Sequence, residues 1–281
     1  MGIQQRGTYF NYFYDMTIFE LTLYFLFGLA VGSFSNVCIY RLPLKQSIIL
    51  PRSHCPECKT PLPYYYNIPL LSYLYLQGRC SFCQKPIRQG YLIVELLTAL
   101  LYLYYGWQYG YSFNLLYFFL LIPTFIIIFC IDYKNFVIPD LLVLIIGILG
   151  LIKFLIPNLD PLFTSLYFSV LGAFLALIFI GGLIVFYHYV RKKEAMGLGD
   201  LKLFITLGFL FGLHGILFIL ILSSLSGAVL GSITLWRNKK NFTTQIPFGP
   251  YIIVATFIYI LVGPQVIAKT EKIAMYYLYN L

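Results

Sequence analysis

The sequence predicts an all-α polytopic membrane protein of about eight transmembrane helices, with a small cysteine-rich cytoplasmic insert that binds zinc. Two observations lead to this prediction. The chain of 281 residues is 60% hydrophobic and only 10% charged, whereas soluble domains contain about 25% charged residues. Four cysteines lie together in one long polar stretch, at residues 41–90. A water-soluble fold of this composition could not cover its own surface with polar groups.

Eight apolar segments approach the length of about 20 residues that a membrane span needs. Residues 1–40 form an N-terminal segment with the first span, residues 41–90 the insert, and residues 91–281 a helical membrane bundle. The run Pro157-Asn158-Leu159-Asp160-Pro161 breaks the chain between the fourth and fifth spans. We place the spans at residues 17–40, 91–107, 112–131, 139–156, 165–190, 200–213, 215–236 and 248–267.

Lys and Arg residues predict the orientation, because they accumulate in cytoplasmic loops. Loop 41–90 carries seven of them, and with that loop inside, the basic loops 132–138, 191–199 and 237–247 are also inside. We therefore interpret the formal charge of +9 as orientation and contact with the lipid bilayer, not as nucleic-acid binding. The opposite loops carry neither Lys nor Arg: 108–111, 157–164 and 213–215.

The insert contains two Cys-x-x-Cys pairs, Cys55 with Cys58 and Cys80 with Cys83, separated by twenty-one residues. Two such pairs can aim four thiolates at one point, which is the tetrahedral sulfur site that suits Zn²⁺. The zinc would be structural, because four thiolates leave no coordination position for water. Reduced thiols are the alternative, or disulfides if the orientation is inverted. We interpret His54 as a turn residue.

Two acids, Asp132 and Asp200, stand at the ends of predicted spans in a chain with ten acidic residues. Singly, each has a structural explanation: Asp132 beside Lys134, and Asp200 at a helix N-terminus near Lys202. Both, however, fall at the same predicted membrane depth. If their helices touch, the pair shares a proton and can perform general acid–base hydrolysis. This pattern predicts an aspartic protease site.

Residues near the two acids add to this prediction. Gly197 and Gly199 lack a Cβ, so the backbone can turn sharply and a substrate chain can approach closely. We include Lys202 with them as a supporting residue of the site. Asp140 is expected to stabilise the N-terminal end of the fourth span. Glu95 lies inside the second span and is either functional or paired with a basic group such as Arg41 or Arg88, which we favour slightly.

The motifs together resemble one family, the type IV prepilin leader peptidases. The resemblance covers roughly residues 30–205: Gly32-Ser33-Phe34-Ser35-Asn36-Val37-Cys38-Ile39-Tyr40-Arg41-Leu42-Pro43, both cysteine pairs, Asn67-Ile68-Pro69, Val94-Glu95-Leu96-Leu97, the stretch from Asp132 to Asp140, and Gly197-Leu198-Gly199-Asp200. The aspartate motif alone is also similar to that of presenilin-type intramembrane proteases. Gly90-Tyr91-Leu92 departs from the Arg-Tyr-Pro common in the family, in a region associated with methylation.

The resemblance implies cleavage of prepilin or pseudopilin leaders after a Gly, at the cytoplasmic face of a bacterial plasma membrane, with Asp132 and Asp200 as the catalytic pair. It also implies N-methylation of the new amino terminus with S-adenosylmethionine. Glu95, Asn36, Arg41 and Asn67 are implied as a second, methylation-associated site. The oligomeric state stays open. The alternatives are a membrane aspartic protease without methyl transfer, a cation-coupled transporter, and a zinc-dependent assembly platform.

Overall fold

The structure, a computed structural model, describes residues 16–156, 159, 162, 164–192, 196–237 and 246–263. These residues form eight α-helices and one short 3₁₀ helix, Tyr64–Asn67, and no extended strand occurs among them. The α-helices are α1 (Ile18–Arg41), α2 (Leu71–Tyr75), α3 (Gln89–Tyr109), α4 (Phe113–Asn135), α5 (Asp140–Ile152), α6 (Leu166–Arg191), α7 (Leu198–Arg237) and α8 (Gly249–Gly263).

The chain divides into two compact units, Met1–Ile127 and Ile128–Leu281. In the first unit, α1 packs along α3, and two glycines of α1 allow the backbones to meet. A Cβ on Gly28 would lie 2.6 Å from the Cα of Ala99, and a Cβ on Gly32 would lie 2.7 Å from the Cα of Glu95. This small-xxx-small spacing is typical of close helix pairs in membranes. It brings Glu95 directly against α1.

The insert between α1 and α3 is built from two knuckles with the same backbone pattern. In the first, the N–H of Cys55 donates to the carbonyl of Thr60 and the N–H of Leu62 donates to Ser53. In the second, Cys80 donates to Lys85 and Ile87 donates to Gly78. The pattern Cys-x-x-Cys-x-x-Pro followed by an apolar residue occurs twice in the sequence and explains the matching turns.

In the second unit, α7 packs against both α5 and α6. The contact with α6 is closest at Gly208, where an added Cβ would lie 2.5 Å from the carbonyl oxygen of Gly172. Apolar side chains of α7 and the end of α4 form the core of this unit and are fully buried: Ile128, Ile131, Leu203, Phe204, Leu207, Leu210 and Phe211. This core holds in place the C-terminal end of α4, where Asp132 lies, and the N-terminal end of α7, where Asp200 lies.

A break interrupts α7 at Gly212, which has φ of 70° and ψ of −168°. The break frees carbonyl groups that a continuous helix would pair. The ammonium of Lys153, only 4% exposed, donates to the carbonyls of Phe209 at 2.8 Å and Leu210 at 2.7 Å, and to the hydroxyl of Ser169 at 2.7 Å. A buried cation therefore replaces the missing helical donors.

The helices agree with the predicted spans in part, because eight spans were predicted and five helices qualify. Five are long and apolar enough to cross a membrane, and α5 and α8 are shorter apolar helices. One of the five, α7, has 40 residues and a length of about 60 Å, twice the bilayer core of about 30 Å. Its break falls where the sixth and seventh predicted spans meet. The short α2 was not predicted, and Lys193, Lys239, Lys240 and the end of the eighth predicted span lie outside the described residues.

Candidate active site and metal centre

Asp132 lies in the last turn of α4 and is only 4% exposed. Its Oδ2 accepts a hydrogen bond of 2.9 Å from the backbone N–H of Gly249, the first residue of α8. A helix N-terminus carries unpaired N–H groups and partial positive charge, so it stabilises a carboxylate. The structural alternative for Asp132, a pair with Lys134, is not found, because Lys134 is exposed and residues two apart on a helix do not face each other.

Gly249 contacts Asp132 directly, and the sequence analysis did not identify it. A Cβ at this position would lie 2.7 Å from Oδ2 and 2.9 Å from Cγ of Asp132, so only glycine allows the approach. The signal was present in the sequence, since Gly249 follows Pro247-Phe248 and precedes Pro250. Proline at the second position of a helix is tolerated because its missing N–H has no helical partner there.

Asp200 lies in the first turn of α7, and a Cβ added to Gly197 would lie 3.5 Å from its Oδ2. Asp132 stands close enough for its charge to act on Asp200, so the second unit brings the two predicted acids together. Gly199 packs against Ile138, whose Cβ would lie 3.2 Å from an added Cβ. Gly197 is exposed, so the backbone that precedes Asp200 is accessible at this residue.

Lys202 does not pair with the neighbouring Asp200. Its ammonium lies 2.8 Å from Oδ1 of Asp140, the first residue of α5, and both side chains are largely exposed. Asp140 thus occupies the helix N-terminal position expected for it. Lys202 joins the ends of two helices beside the acids, and a direct role in the chemistry stays a prediction.

The arrangement of the two acids suits general acid–base hydrolysis. Two carboxylates in close proximity cannot both ionise easily, so they hold one proton between them. The ionised carboxylate can take a proton from water, and the protonated one can donate to a carbonyl or a leaving amine. The hydrogen bond from the N–H of Gly249 fixes the position of Asp132, one of the two carboxylates.

The four cysteines of the insert converge on one point. The sulfur atoms of Cys55, Cys58, Cys80 and Cys83 all lie within 4.8 Å of one another, with 3.9 Å between Cys55 and Cys83. Tetrahedral ligation at Zn–S distances of about 2.3 Å requires sulfur separations of about 3.8 Å. The four thiols therefore fit a Zn²⁺ ion. All six cysteines of the chain are free thiols; outside the cluster, Cys38 is buried in α1, whereas Cys130 of α4 is only half-buried.

The thiols of the cluster differ in acidity. Hydrogen bonds from the side chain and backbone of Thr60 lower the pKa of Cys58 to about 6. Although a backbone hydrogen bond from Lys85 acts in the opposite direction, desolvation and the neighbouring thiols raise the pKa of Cys83 to about 11. The thiolate of Cys58 therefore forms easily and that of Cys83 does not, because negative charge accumulates in a small volume. A divalent cation removes that conflict.

The four residues implied as a second site all line one cavity of the first unit: Asn36, Arg41, Asn67 and Glu95. The amide of Asn36 donates to the carbonyl of Tyr91 at 3.0 Å and so links α1 to α3. The guanidinium of Arg41, 5% exposed, donates to the carbonyls of Ser47 at 3.0 Å and Pro51 at 2.7 Å. Arg41 is therefore occupied by the chain that follows α1.

Glu95 pairs with a backbone group, so the expected ion pair with Arg41 or Arg88 is wrong. Its Oε2 accepts a hydrogen bond of 2.9 Å from the N–H of Leu70. Leu70 has φ of 61°, and the N–H of Leu71 donates to the carbonyl of Pro69 at 2.6 Å. This is a γ-turn with positive φ, a strained conformation for leucine. Apart from the Asn67-Ile68-Pro69 motif, nothing in the sequence predicts this turn.

Two protein-family models match the chain. The Bacterial Peptidase A24 N-terminal domain matches residues 26–109, and the Type IV leader peptidase family matches residues 119–232. Similar curated proteins include one from Legionella pneumophila, 38% identical over 86% of this chain and 91% of the relative. Another, from Pseudomonas aeruginosa strain PAO1, is 37% identical over 86% of this chain and 90% of its own length. Both are named prepilin leader peptidase/N-methyltransferase. No solved structure matches the chain.

Proposed function

Because this chain belongs to the type IV leader peptidase family, we propose that Asp132 and Asp200 are the residues with which it cleaves its substrates. The chain is a prepilin leader peptidase and N-methyltransferase. Prepilins and pseudopilins are its substrates in this proposal, and the scissile bond follows a Gly at the cytoplasmic membrane face. A cation-coupled transporter and a platform without chemistry are thereby set aside.

The proposed hydrolysis uses the two carboxylates in opposite protonation states. One carboxylate takes a proton from water while the water oxygen attacks the carbonyl carbon of the scissile peptide bond. The other carboxyl donates its proton to the departing nitrogen as the carbon–nitrogen bond breaks, so the leader ends in a carboxyl group and the mature chain in an amine. The pair ends with one proton between its two groups, as it began.

One observation carries the assignment. Asp132 is buried against the first N–H of α8, with its charge acting on Asp200. An acidic residue buried in a membrane helix is rare and is by default a candidate functional residue. The pair is formed by the ends of α4 and α7, while Asp140 nearby is exposed and paired with Lys202.

The test replaces each acid by its amide: Asp132→Asn and Asp200→Asn. Both keep the shape of the side chain and one hydrogen-bond acceptor, so the protein should insert and fold. We expect cleavage of a purified prepilin with a Gly-Phe junction to fall by at least about a thousandfold in each variant. Asp140→Asn is the matched control and should cleave at close to the wild-type rate. Substantial cleavage by either of the first two variants would remove that residue from the catalytic pair.

We also propose that the thiols of Cys55, Cys58, Cys80 and Cys83 hold one Zn²⁺ ion as a structural staple of the insert. A site closed by four sulfur ligands has no position for water, so the ion stabilises the fold and takes no part in cleavage. S-adenosylmethionine, when bound, supplies the methyl group that the new amino terminus receives. Mass spectrometry of the cleaved product decides on this activity, because an unmodified terminus would leave a peptidase alone.

The chain carries several candidate membrane spans, and its family is one of bacterial membrane enzymes. We propose eight spans, with α7 counted as two because of its break at Gly212, and with the insert and both acids on the cytoplasmic side. A tag placed within residues 41–90 should then be inaccessible from outside intact cells. Labelling of that tag from outside would invert the topology.

A further inference from the structure

One stretch of the insert carries no charge, although the insert as a whole is strongly basic. Residues 60–78 contain no Asp, Glu, Lys or Arg, while loop 41–90 has seven basic residues. Five of the nineteen residues are tyrosines and five are leucines, and Lys59 and Arg79 stand directly at the two ends of the stretch. Neither the catalytic acids nor the metal ligands lie in it. Its apolar composition therefore needs an explanation of its own.

The short helix α2 lies in this stretch and presents an apolar face to the outside. Leu71, Leu74 and Tyr75 are spaced at i, i+3 and i+4, so they lie on one side of the helix. Their exposed fractions are 61%, 60% and 80%. We call these three residues the α2 face. Behind them, the hydroxyl of Ser72 donates to the carbonyl of Tyr65 at 3.0 Å, which fixes α2 to the 3₁₀ helix and keeps the α2 face turned outward.

Contacts with α1 and α3 place α2 at the level of the membrane spans. The N–H of Leu70, the residue before α2, donates to Oε2 of Glu95 at 2.9 Å. Glu95 lies six residues after the start of α3 at Gln89, and its backbone packs against Gly32, nine residues before the end of α1 at Arg41. At 1.5 Å per residue, these positions lie about 9 Å and about 14 Å from the two helix ends. Helix α2 therefore begins beside the spans and not beyond their ends.

The surroundings of α2 at this level suit lipid. Both α1 and α3 are long and apolar enough to cross a membrane, and Ile93 and Leu97 of α3, on either side of Glu95, are 61% and 44% exposed. Tyrosine is enriched where the bilayer meets water, and long basic side chains there reach the phosphate groups. Lys59 and Arg79, both exposed, provide such cations at the two ends of the uncharged stretch.

We propose that the α2 face is a membrane anchor that lies in the boundary between the lipid headgroups and the acyl chains. Leu71 and Leu74 enter the acyl region, and Tyr75 directs its hydroxyl to the headgroups. The anchor holds the insert against the bilayer, so the two knuckles do not swing freely between α1 and α3. This inference goes beyond the proposed function, because peptide cleavage by the two acids does not require it.

The variant Leu74→Trp measures the depth of the α2 face. The two native tryptophans, Trp107 and Trp236, are first replaced by Phe, and the full chain is placed in nanodiscs of phosphatidylcholine with brominated acyl chains. Bromine quenches indole fluorescence on contact. We expect the new indole to lose most of its emission. Bromine near the carbonyl end of the chains should quench more than bromine near the methyl end, because an interfacial helix enters only about 5–10 Å.

Glu57→Trp is the matched control. Glu57 is exposed on the first knuckle and pairs with Lys85 at 2.6 Å, a surface contact that contributes little to stability. Its indole should keep its emission in the brominated nanodiscs. Protease resistance of the insert and cleavage of prepilin show that both variants remain folded.

An unquenched indole in folded Leu74→Trp would overturn the proposal. Emission at long wavelength would then mean that the α2 face stays in water. Emission at short wavelength would mean that protein covers it, either the second unit or a second copy of this chain. Each of these results would leave the assignment of Asp132 and Asp200 untouched.

A second measurement uses the unmodified chain. A phosphatidylcholine with a diazirine in its acyl chain is added to the nanodiscs and activated by light, and lipid adducts are mapped by mass spectrometry. We expect adducts within residues 71–75 as well as on α1 and α3. The double variant Leu71→Ser with Leu74→Ser should lose the adducts on α2 and keep those on α3. Adducts on α3 with none within residues 71–75 of the wild type would refute the anchor.

Discussion

The insert of the first unit and the helical second unit hold their functional groups by opposite means. Between residues 42 and 90 only Cys55, Gly78 and Cys80 are buried, so the insert has no apolar core and its thiols occupy the centre. In the second unit the acids stand on helices anchored by fully buried side chains such as Phe204 and Phe211. A small segment that cannot bury enough apolar surface needs a metal, whereas a helical bundle positions its acids by packing.

Removal of the metal is expected to have the largest effect, and it tests directly whether the insert depends on a metal. Cys55→Ser or a strong chelator should unfold the insert, because structural zinc contributes about 10–16 kcal/mol to small metal-held folds. We expect loss of about one zinc ion per chain and rapid proteolysis within residues 42–88, while the helical circular dichroism of the spans persists. Cys38→Ala, outside the cluster, is the control. A metal-free chain with a protease-resistant insert would contradict the zinc site.

The pKa values of the thiols predict how the loss of zinc depends on pH. Because the pKa of Cys58 is lowered to about 6, its thiolate is present above that pH and is lost as the pH falls through it. Backbone hydrogen bonds from Cys83 and Phe82 also lower the pKa of Cys80. Because protons compete with the metal for the thiolates, zinc should be released progressively as the pH falls. A colorimetric zinc chelator can follow this release.

The second-largest effect is expected at Gly249, where the backbone of α8 lies against Asp132. Gly249→Ala places a Cβ within 3 Å of the carboxylate, so α8 or Asp132 must move. We expect kcat for prepilin cleavage to fall about tenfold to a hundredfold, since a displacement of about 1 Å at a catalytic group has that cost. Gly182→Ala is the control, because nothing lies within 4 Å of the added Cβ there. Equal activity of the two variants would show that the Gly249 contact does not position Asp132.

A smaller effect is expected at the buried cation. Lys153→Met keeps the length of the side chain but leaves the carbonyls of Phe209 and Leu210 without their donor. Leaving buried acceptors unpaired costs about 1–3 kcal/mol, so the variant should unfold at lower denaturant concentration. Lys153→Arg retains a donor and should recover part of the loss. A Lys153→Met variant as stable as the wild type would mean that water satisfies these carbonyls equally well.

The smallest effect is expected at the surface ion pair. Lys202→Met and Asp140→Asn each break a contact between exposed side chains, and such pairs contribute about 1 kcal/mol or less. We expect both variants to unfold within that margin of the wild type and to cleave at similar rates. If Lys202→Met alone lowers kcat, then Lys202 supports Asp200 as the sequence suggested, and the pairing with Asp140 is secondary.

The sequence predicted those features that depend on local pattern. Hydropathy located α1, α3 and α6 to within about two residues, and the cysteine spacing located the cluster, because both signals lie within short stretches of chain. The prediction that Asp132 and Asp200 lie at the same membrane depth followed from counting the spans. The contacts of Gly249 and Lys153 could not be predicted in this way. They join residues more than fifty positions apart, and hydropathy does not indicate which helices touch.

The γ-turn at Leu70 has a consequence for how the insert moves. Leucine at positive φ costs about 1–3 kcal/mol, so the turn would relax spontaneously if Glu95 released its N–H. The hydrogen bond opposes that relaxation, and the docked and released forms of the loop therefore differ by a small free energy. Glu95→Ala, which removes the acceptor, would tip this balance and loosen residues 67–71, which amide hydrogen exchange at Leu70 and Leu71 would detect. Glu95 therefore holds residues 67–71 in the strained turn.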